Sequence, residues 1–229
     1  MSGASCCSRL YSSKEGFLPI TYSFLPGHCY GFFGDFGRGC WALATCLGGR
    51  GDEPASGKIY WNGDEIDRSE MQAHSCFAGE NIVDSIDDPH NPLTANECIQ
   101  CALHRSQLPY SVTDIKSLFR LSDERFDRDL RYVSGEIWRI SIAIGFALNR
   151  ELFCYPWMNV RDAKEQLDAE IIEVLKAHQK IIVIPTCRAV LKTPFKKVFD
   201  HTIDFHSYKE KCFDISPEAR KQLRKMEEW

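Results

Sequence analysis

The sequence predicts an α/β fold, on two observations. Three short runs are apolar at every position: 29–33 (Cys-Tyr-Gly-Phe-Phe), 152–155 (Leu-Phe-Cys-Tyr) and 181–184 (Ile-Ile-Val-Ile). A parallel strand covered on both faces needs such a run. Between them lie longer segments with helical spacing, so strand and helix alternate. A chain of 229 residues can bury one substantial domain, and 44% hydrophobic with 26% charged residues is ordinary for a soluble globular protein. The net charge of −4 leaves no basic footprint for nucleic acid. With no apolar run of about 18 residues, no membrane span is expected. Residues 1–11 carry no apolar core of the kind a secretory leader has, so secretion is not expected either.

Taken in order, the apolar, aromatic-rich segment 12–25 is expected to form a strand, turned by Pro26-Gly27 into the strand 29–33. A helix should cover 41–47 and end at Gly48-Gly49, followed by a polar turn over 51–57. Lys58-Ile59-Tyr60-Trp61 and Asp64-Glu65-Ile66 flank Asn62-Gly63, a strong hairpin signal. Residues 81–92 are polar and turn-rich; Thr94 and Glu97 then have the spacing of a capping box opening a helix through Arg105. Pro109 interrupts it, and a charged helical stretch continues to about 131. Later come an apolar helix over 137–148, an amphipathic helix over 162–178, a helix over 188–200, a short strand over 201–206 and a charged helical tail over 217–229.

Eleven cysteines invite a metal or disulfide reading, but Cys98 and Cys101 form the only C-x-x-C, with no second pair to complete a zinc site. They are read as reduced core residues, with Cys6-Cys7 the candidates for adventitious oxidation, which points to a reducing cytosol. His28, His90, His178, His201 and His206 lack ligand spacing, and turn and helix-start roles account for Asp87, Asp88 and Asp162. No metal site is expected.

The stretch 27–43 carries the chemical interest. Glycines at 34, 37 and 39 follow a strand and precede a helix, which satisfies the backbone half of the phosphate-binding loop G-x-x-x-x-G-K-[ST]. The lysine position holds Cys40 and the hydroxyl position Trp41, while Asp35 adds a negative charge. The three glycines form either a tight turn only or a nest of N–H groups with residual anion affinity. Arg38 is either a partial substitute for the lysine or a solvated loop arginine.

Over nearly its whole length the chain resembles the ATP-binding subunit of ABC transporters, a P-loop NTPase, carried by several segments. Pro54-Ala-Ser-Gly57-Lys-Ile-Tyr60-Trp-Asn-Gly63 is similar to the family's P-x-S-G-x-I-x-x-x-G, and Leu93-Thr94-Ala95-Asn96-Glu97 to its L-T-V-x-E. Val133-Ser134-Gly135-Glu136 up to Arg139 resembles the signature L-S-G-G-Q-x-x-R, one residue short. The family places an adenine-stacking aromatic some sixteen positions before the glycine matching Gly27, and Tyr11 stands there, either for stacking or for simple packing.

The resemblance implies a P-loop NTPase (ABC ATPase-like) core, 1–80 and 131–229, with a β-hairpin subdomain and a small helical subdomain over 81–130. By the same resemblance the family's strand-end Asp, its general-base Glu and its phosphate-sensing His fall on Pro156, Trp157 and Thr186, and no glutamine stands near Gly79-Glu80. Phosphoryl transfer rests on those charges and on positioning. The expectation is therefore a degenerate, catalytically inactive subunit of an ABC transporter, at the cytoplasmic face of a membrane and heteromeric with a competent ATPase or a permease. No catalytic residues are expected, and Trp41 is expected to fill the phosphate cavity. Residual weak binding of ATP without Mg²⁺ would use Tyr11, Gly34, Gly37, Arg38 and Gly39. Ser134 and Gly135 would either face a partner's nucleotide or serve as an ordinary helix N-cap. The alternatives are a soluble regulatory or scaffold pseudo-ATPase without a transporter, and a weak ATPase with rearranged ligands.

Overall fold

The computed structural model describes residues 5–7, 14–16, 21–50, 58–79 and 94–205. Two short antiparallel strands, β1 (Ser5–Cys7) and β2 (Lys14–Gly16), open the chain. Then follow β3 (Cys29–Phe33), α1 (Cys40–Leu47), the hairpin β4 (Ile59–Trp61) and β5 (Asp64–Ile66), α2 (Arg68–His74) and β6 (Ser75–Phe77). The helices α3 (Ala95–Ser106), α4 (Val112–Leu118), α5 (Asp123–Phe126) and α6 (Ile137–Ala147) come next. The chain continues through β7 (Leu152–Cys154), α7 (Val160–Gln166), α8 (Ala169–Ala177), β8 (Ile181–Thr186) and β9 (His201–Asp204).

Five of these strands make one parallel sheet in the order β6-β7-β8-β3-β9, with β3 between β8 and β9. Side chains alternate across it, and both faces are apolar. Tyr30, Phe32, Leu152, Cys154, Ile181 and Val183 pack on one face with α1, Met71 and the hairpin. Cys29, Phe33, Phe153, Ile182 and Ile184 pack on the other with α3, α4, α6 and α8. Continuous apolar runs were needed because helices cover both sides.

Close approach of α6 to β6 depends on Gly145: a Cβ there would lie 2.5 Å from the Cys76 sulfur. The expected capping box at Thr94 is present, its side chain accepting from the Glu97 N–H while Glu97 accepts from the Thr94 N–H. A second box, Asp67 with Glu70, starts α2.

Several expectations need correction. Residues 21–25 are not a strand; the Leu25 N–H donates to the Tyr30 hydroxyl at 2.6 Å and Phe24 packs edge-on against that ring. The helix expected over 162–178 is two helices: Leu167 is extended and Asp168 caps α8 afresh, accepting from the N–H groups of Glu170 and Ile171. Residues 188–200 are two 3-10 turns, Arg188–Lys192 and Pro194–Val198, separated where Pro194 restarts the chain. The turns expected at 51–57 and 81–92 and the helical tail lie outside the described residues.

Asp200 pins the start of β3. Its carboxylate accepts from the Cys29 N–H at 2.8 Å and from Lys176 Nζ at 3.0 Å. Burial pushes the Asp200 carboxyl up, but those two donors and the Lys176 charge outweigh it and hold it below its ordinary value. A carboxylate lowered in the folded state stabilises above its unfolded pKa and loses that contribution as pH falls through its folded pKa. Asp200→Asn is therefore expected to lower the urea midpoint at pH 7, with the gap to wild type closing below about pH 4. A second expectation concerns α6: Gly145→Val should cost about 1–3 kcal/mol by overpacking, read as a fall of several degrees in thermal midpoint.

Candidate functional site

In open parallel sheets, ligands bind beyond the carboxyl ends of the strands. The loop at 34–39 leaves β3 at that end. Gly34 continues the ladder, donating its N–H to the Thr186 carbonyl at 2.9 Å, so the loop starts on the seam between β3 and β8. The Arg38 N–H donates to the Asp35 carbonyl at 3.0 Å, closing a turn. Gly37 and Gly39 have φ of 89° and 94°, a left-handed conformation that side chains rarely adopt. Gly39 then serves as the N-cap of α1, its carbonyl accepting from the Leu43 N–H at 3.0 Å. Gly34, Gly37, Arg38 and Gly39 thus occupy one strand-to-helix turn, with the Arg38 side chain exposed. Tyr11 lies outside the described residues.

The cationic position is filled differently. Cys40 is fully buried, with its thiol directed to the Gly34 carbonyl at 3.6 Å. The same carbonyl accepts from the Trp157 indole N–H at 2.9 Å. Phe36 joins the two tryptophans: its ring lies 5.2 Å from Trp41 and 5.4 Å from Trp157, the latter edge-on. An aromatic trio therefore gathers around the loop; of its members, Trp41 was expected here from the loop's own sequence and Trp157 only from the family resemblance, while Phe36 was not singled out. Phe36 was legible as an aromatic inside a glycine turn. Trp157, 123 positions from Gly34, gave no local signal.

Of the strands beside β3, β9 ends on Asp204, whose carboxylate is taken up by Arg188, and β8 ends on Thr186. After β7 the chain reads Pro156-Trp157-Met158, and Met158 pairs with Thr186 through an isolated bridge. The Thr186 hydroxyl is wholly buried and donates to the Met158 carbonyl at 2.7 Å. No group of three His, Cys, Asp or Glu side chains with metal-binding geometry occurs among the described residues. A magnesium triphosphate does not fit this donor set: no ammonium stands at Cys40, no hydroxyl at Trp41 and no metal carboxylate after β7. No chemical step through such a group is derived.

Ser134 and Gly135 lie elsewhere, in a 3-10 turn, Ser134–Glu136, that leads into α6. The helix N-cap is Glu136, not Ser134 as the ordinary capping reading expects. Gly135 is exposed, with open space where a Cβ would sit. It borders a small cleft with Arg139, Glu165 and Asp168, of about 80 Å³.

Glu136 is turned inward. Its carboxylate accepts from the Ser122 N–H at 2.9 Å and the Ser122 hydroxyl at 2.7 Å, with Arg125 at 3.9 Å and Arg139 at 3.8 Å. Arg139 and Arg120 both reach Asp168, so the α4–α5 region, α6 and α8 share one polar network. The signature-like segment thereby presents backbone outward and charge inward.

The class defined by these features is an α/β protein with a P-loop-type strand–turn–helix in a five-stranded parallel sheet. More particularly, solved structures show that the fold is that of the ABC transporter ATP-binding cassette. A candidate ABC transporter ATP-binding protein from Pyrococcus furiosus aligns with TM-score 0.58 and 18% identity over 83% of this chain and 90% of its own. The dimeric bacterial ABC transporter cassette MJ0796 gives TM-score 0.57 and 14% identity over 88% and 92%. The cbiO1 protein of Clostridium perfringens, part of the ABC transporter complex cbiONQ, gives 0.54 and 15% over 82% and 77%. No protein-family model and no curated protein sequence matches the chain.

The Glu136 contacts set an expected outcome for stability. Glu136→Ala leaves the Ser122 N–H and hydroxyl without their acceptor and should cost about 1–3 kcal/mol in urea unfolding. Glu136→Gln, which keeps an acceptor, should lose less.

Proposed function

We propose that the chain is a degenerate, catalytically inactive nucleotide-binding-type subunit of an ABC transporter. It would pair with a competent ATPase subunit or a membrane permease and couple or regulate transport. One observation supports this reading: Trp157, on which the resemblance puts the family's general base, donates its indole N–H to the loop carbonyl of Gly34. Positioned charge is the main source of catalysis in phosphoryl transfer, and uncharged side chains occupy those positions here. Trp41, whose ring packs 5.2 Å from Phe36, would take up room that phosphates need.

In this reading the chain works at the cytoplasmic face of a membrane through its partners; no described helix is long and apolar enough to cross one itself. The 81–130 region would form a helical subdomain that contacts the membrane subunit. Ser134 and the exposed backbone at Gly135 would approach the nucleotide of a competent partner, a role favoured by the inward fold of Glu136. A homodimer would hold no competent site, so a heteromer is the sharper form of the proposal. Any ATP bound at 34–39 would be held weakly and without Mg²⁺.

Calorimetric titration with Mg-ATP, repeated without magnesium, tests the reading. The expected result is no magnesium-dependent binding at micromolar ATP and no phosphate release above the buffer rate. Turnover abolished by Arg38→Ala or Asp35→Ala would overturn it and establish an ATPase with rearranged ligands.

A further inference from the structure

A cavity of about 800 Å³ lies away from the 34–39 loop, at the opposite end of the sheet. Its floor includes Leu152 and Ile181, the first residues of β7 and β8, together with Leu43 and Leu47 of α1 and Met71 of α2. Segment 21–26 walls one side and the β4–β5 hairpin the other. No residue of the 34–39 loop borders it. The volume is that of a small-molecule site, which typically combines apolar and aromatic walls with a few polar groups.

Two features define what would fit. First, aromatic rings line the walls: Tyr22 and Phe24 from the segment, Tyr60 and Trp61 from the hairpin. Trp61 is held in place by stacking on His74 at 4.7 Å. Tyr22 and Tyr60 remain 41% and 58% exposed, which leaves ring surface for a planar partner. Second, the polar lining is neutral or already paired. Thr21, Ser23, Asn62 and Gln179 offer hydroxyls and amides. Among the described lining the charged groups are Lys58, paired with Glu65 at 2.5 Å, and Glu151, hydrogen-bonded to His74 at 2.7 Å. An anionic ligand would enter without a free counter-ion among the described lining, which is costly in an apolar site.

We propose that this cavity is a binding site for an uncharged, planar aromatic small molecule, held between the Tyr22–Phe24 and Tyr60–Trp61 walls. The site is separate from the nucleotide-type loop and does not depend on the transporter reading.

The test is fluorescence titration of the full chain with Nile red, a neutral planar dye, beside the anionic dye anilinonaphthalene sulfonate. Saturable one-to-one binding of Nile red with blue-shifted emission is expected. Affinity for the anionic dye should be at least about tenfold weaker, because no free cation faces the cavity among its described lining. The double variant Tyr22→Ala/Tyr60→Ala should weaken Nile red by about tenfold. Tyr22 also packs edge-on against Tyr30, so the single variant Tyr60→Ala, whose ring is 58% exposed, serves as the folding control: its thermal melt should match wild type while Nile red binding weakens. A third variant, Asn62→Asp, adds charge at the hairpin turn and should also weaken the neutral dye. Non-saturable binding, equal affinity in the tyrosine variant, or preference for the anionic dye would each overturn the proposal. So would Nile red affinity that falls as protein concentration rises, since a second copy of the chain would then be the occupant.

Discussion

The pairing of β3 with β8, with β9 on its other side, is the constraint on which the rest depends. A central parallel strand must be apolar on both faces, and all five residues of β3 are buried. Its register with β8 extends one residue beyond the strand, through the Gly34 N–H and the Thr186 carbonyl. The turn that follows therefore begins at a fixed point on the sheet edge. From there the left-handed glycines at 37 and 39 redirect the chain into α1, which must lie back on the Tyr30–Phe32 face to cover it. The loop's shape thus follows from burial of the sheet and does not need a ligand to form it.

That separation of shape from chemistry is visible in what surrounds the loop. The carbonyl of Gly34 receives an indole N–H and a thiol, donors supplied by Trp157 and Cys40. Satisfying a half-buried carbonyl in this way favours the folded loop by roughly 1 kcal/mol per bond at most, the thiol less. Lysine and carboxylates at the same positions would carry charge into a partly apolar setting, a cost normally offset by phosphate and metal. Aromatic and thiol side chains stabilise the same backbone with no such requirement.

Much of the fold was legible because burial writes a period into the chain. The apolar runs at 152–155 and 181–184 marked strands directly, and the Asn62-Gly63 turn with φ of 52° and 96° made the hairpin plain. Failures occurred where polar residues end one element and begin another inside a continuing apolar period. Leu167 is buried whether or not the helix is continuous, so spacing across 162–178 concealed the break that Asp168 caps. The capping box of Asp67 and Glu70 was present in the sequence, yet α2 and β6 are so short that their pattern went unassigned. At 21–25 aromatic content suggested a strand, whereas those rings serve Tyr30 by edge contacts and leave Tyr22 half in solvent.

For the candidate site the limit of legibility was distance along the chain. Glycine positions at 34, 37 and 39 are local and could be read. The partner of Gly34 at Trp157 is set by which strands neighbour β3, and that order cannot be deduced from either segment alone. Glu136 illustrates the same point with opposite electrostatic consequence. Beside a glycine expected to face phosphate, its carboxylate reads as a repulsive charge. The fold of α4, α5 and α6 instead brings Ser122 and two arginines to it, so the charge is neutralised within the chain and Gly135 keeps an exposed backbone. Whether a residue opposes or permits contact at such a turn is decided by the partner that packing provides, not by its formal charge.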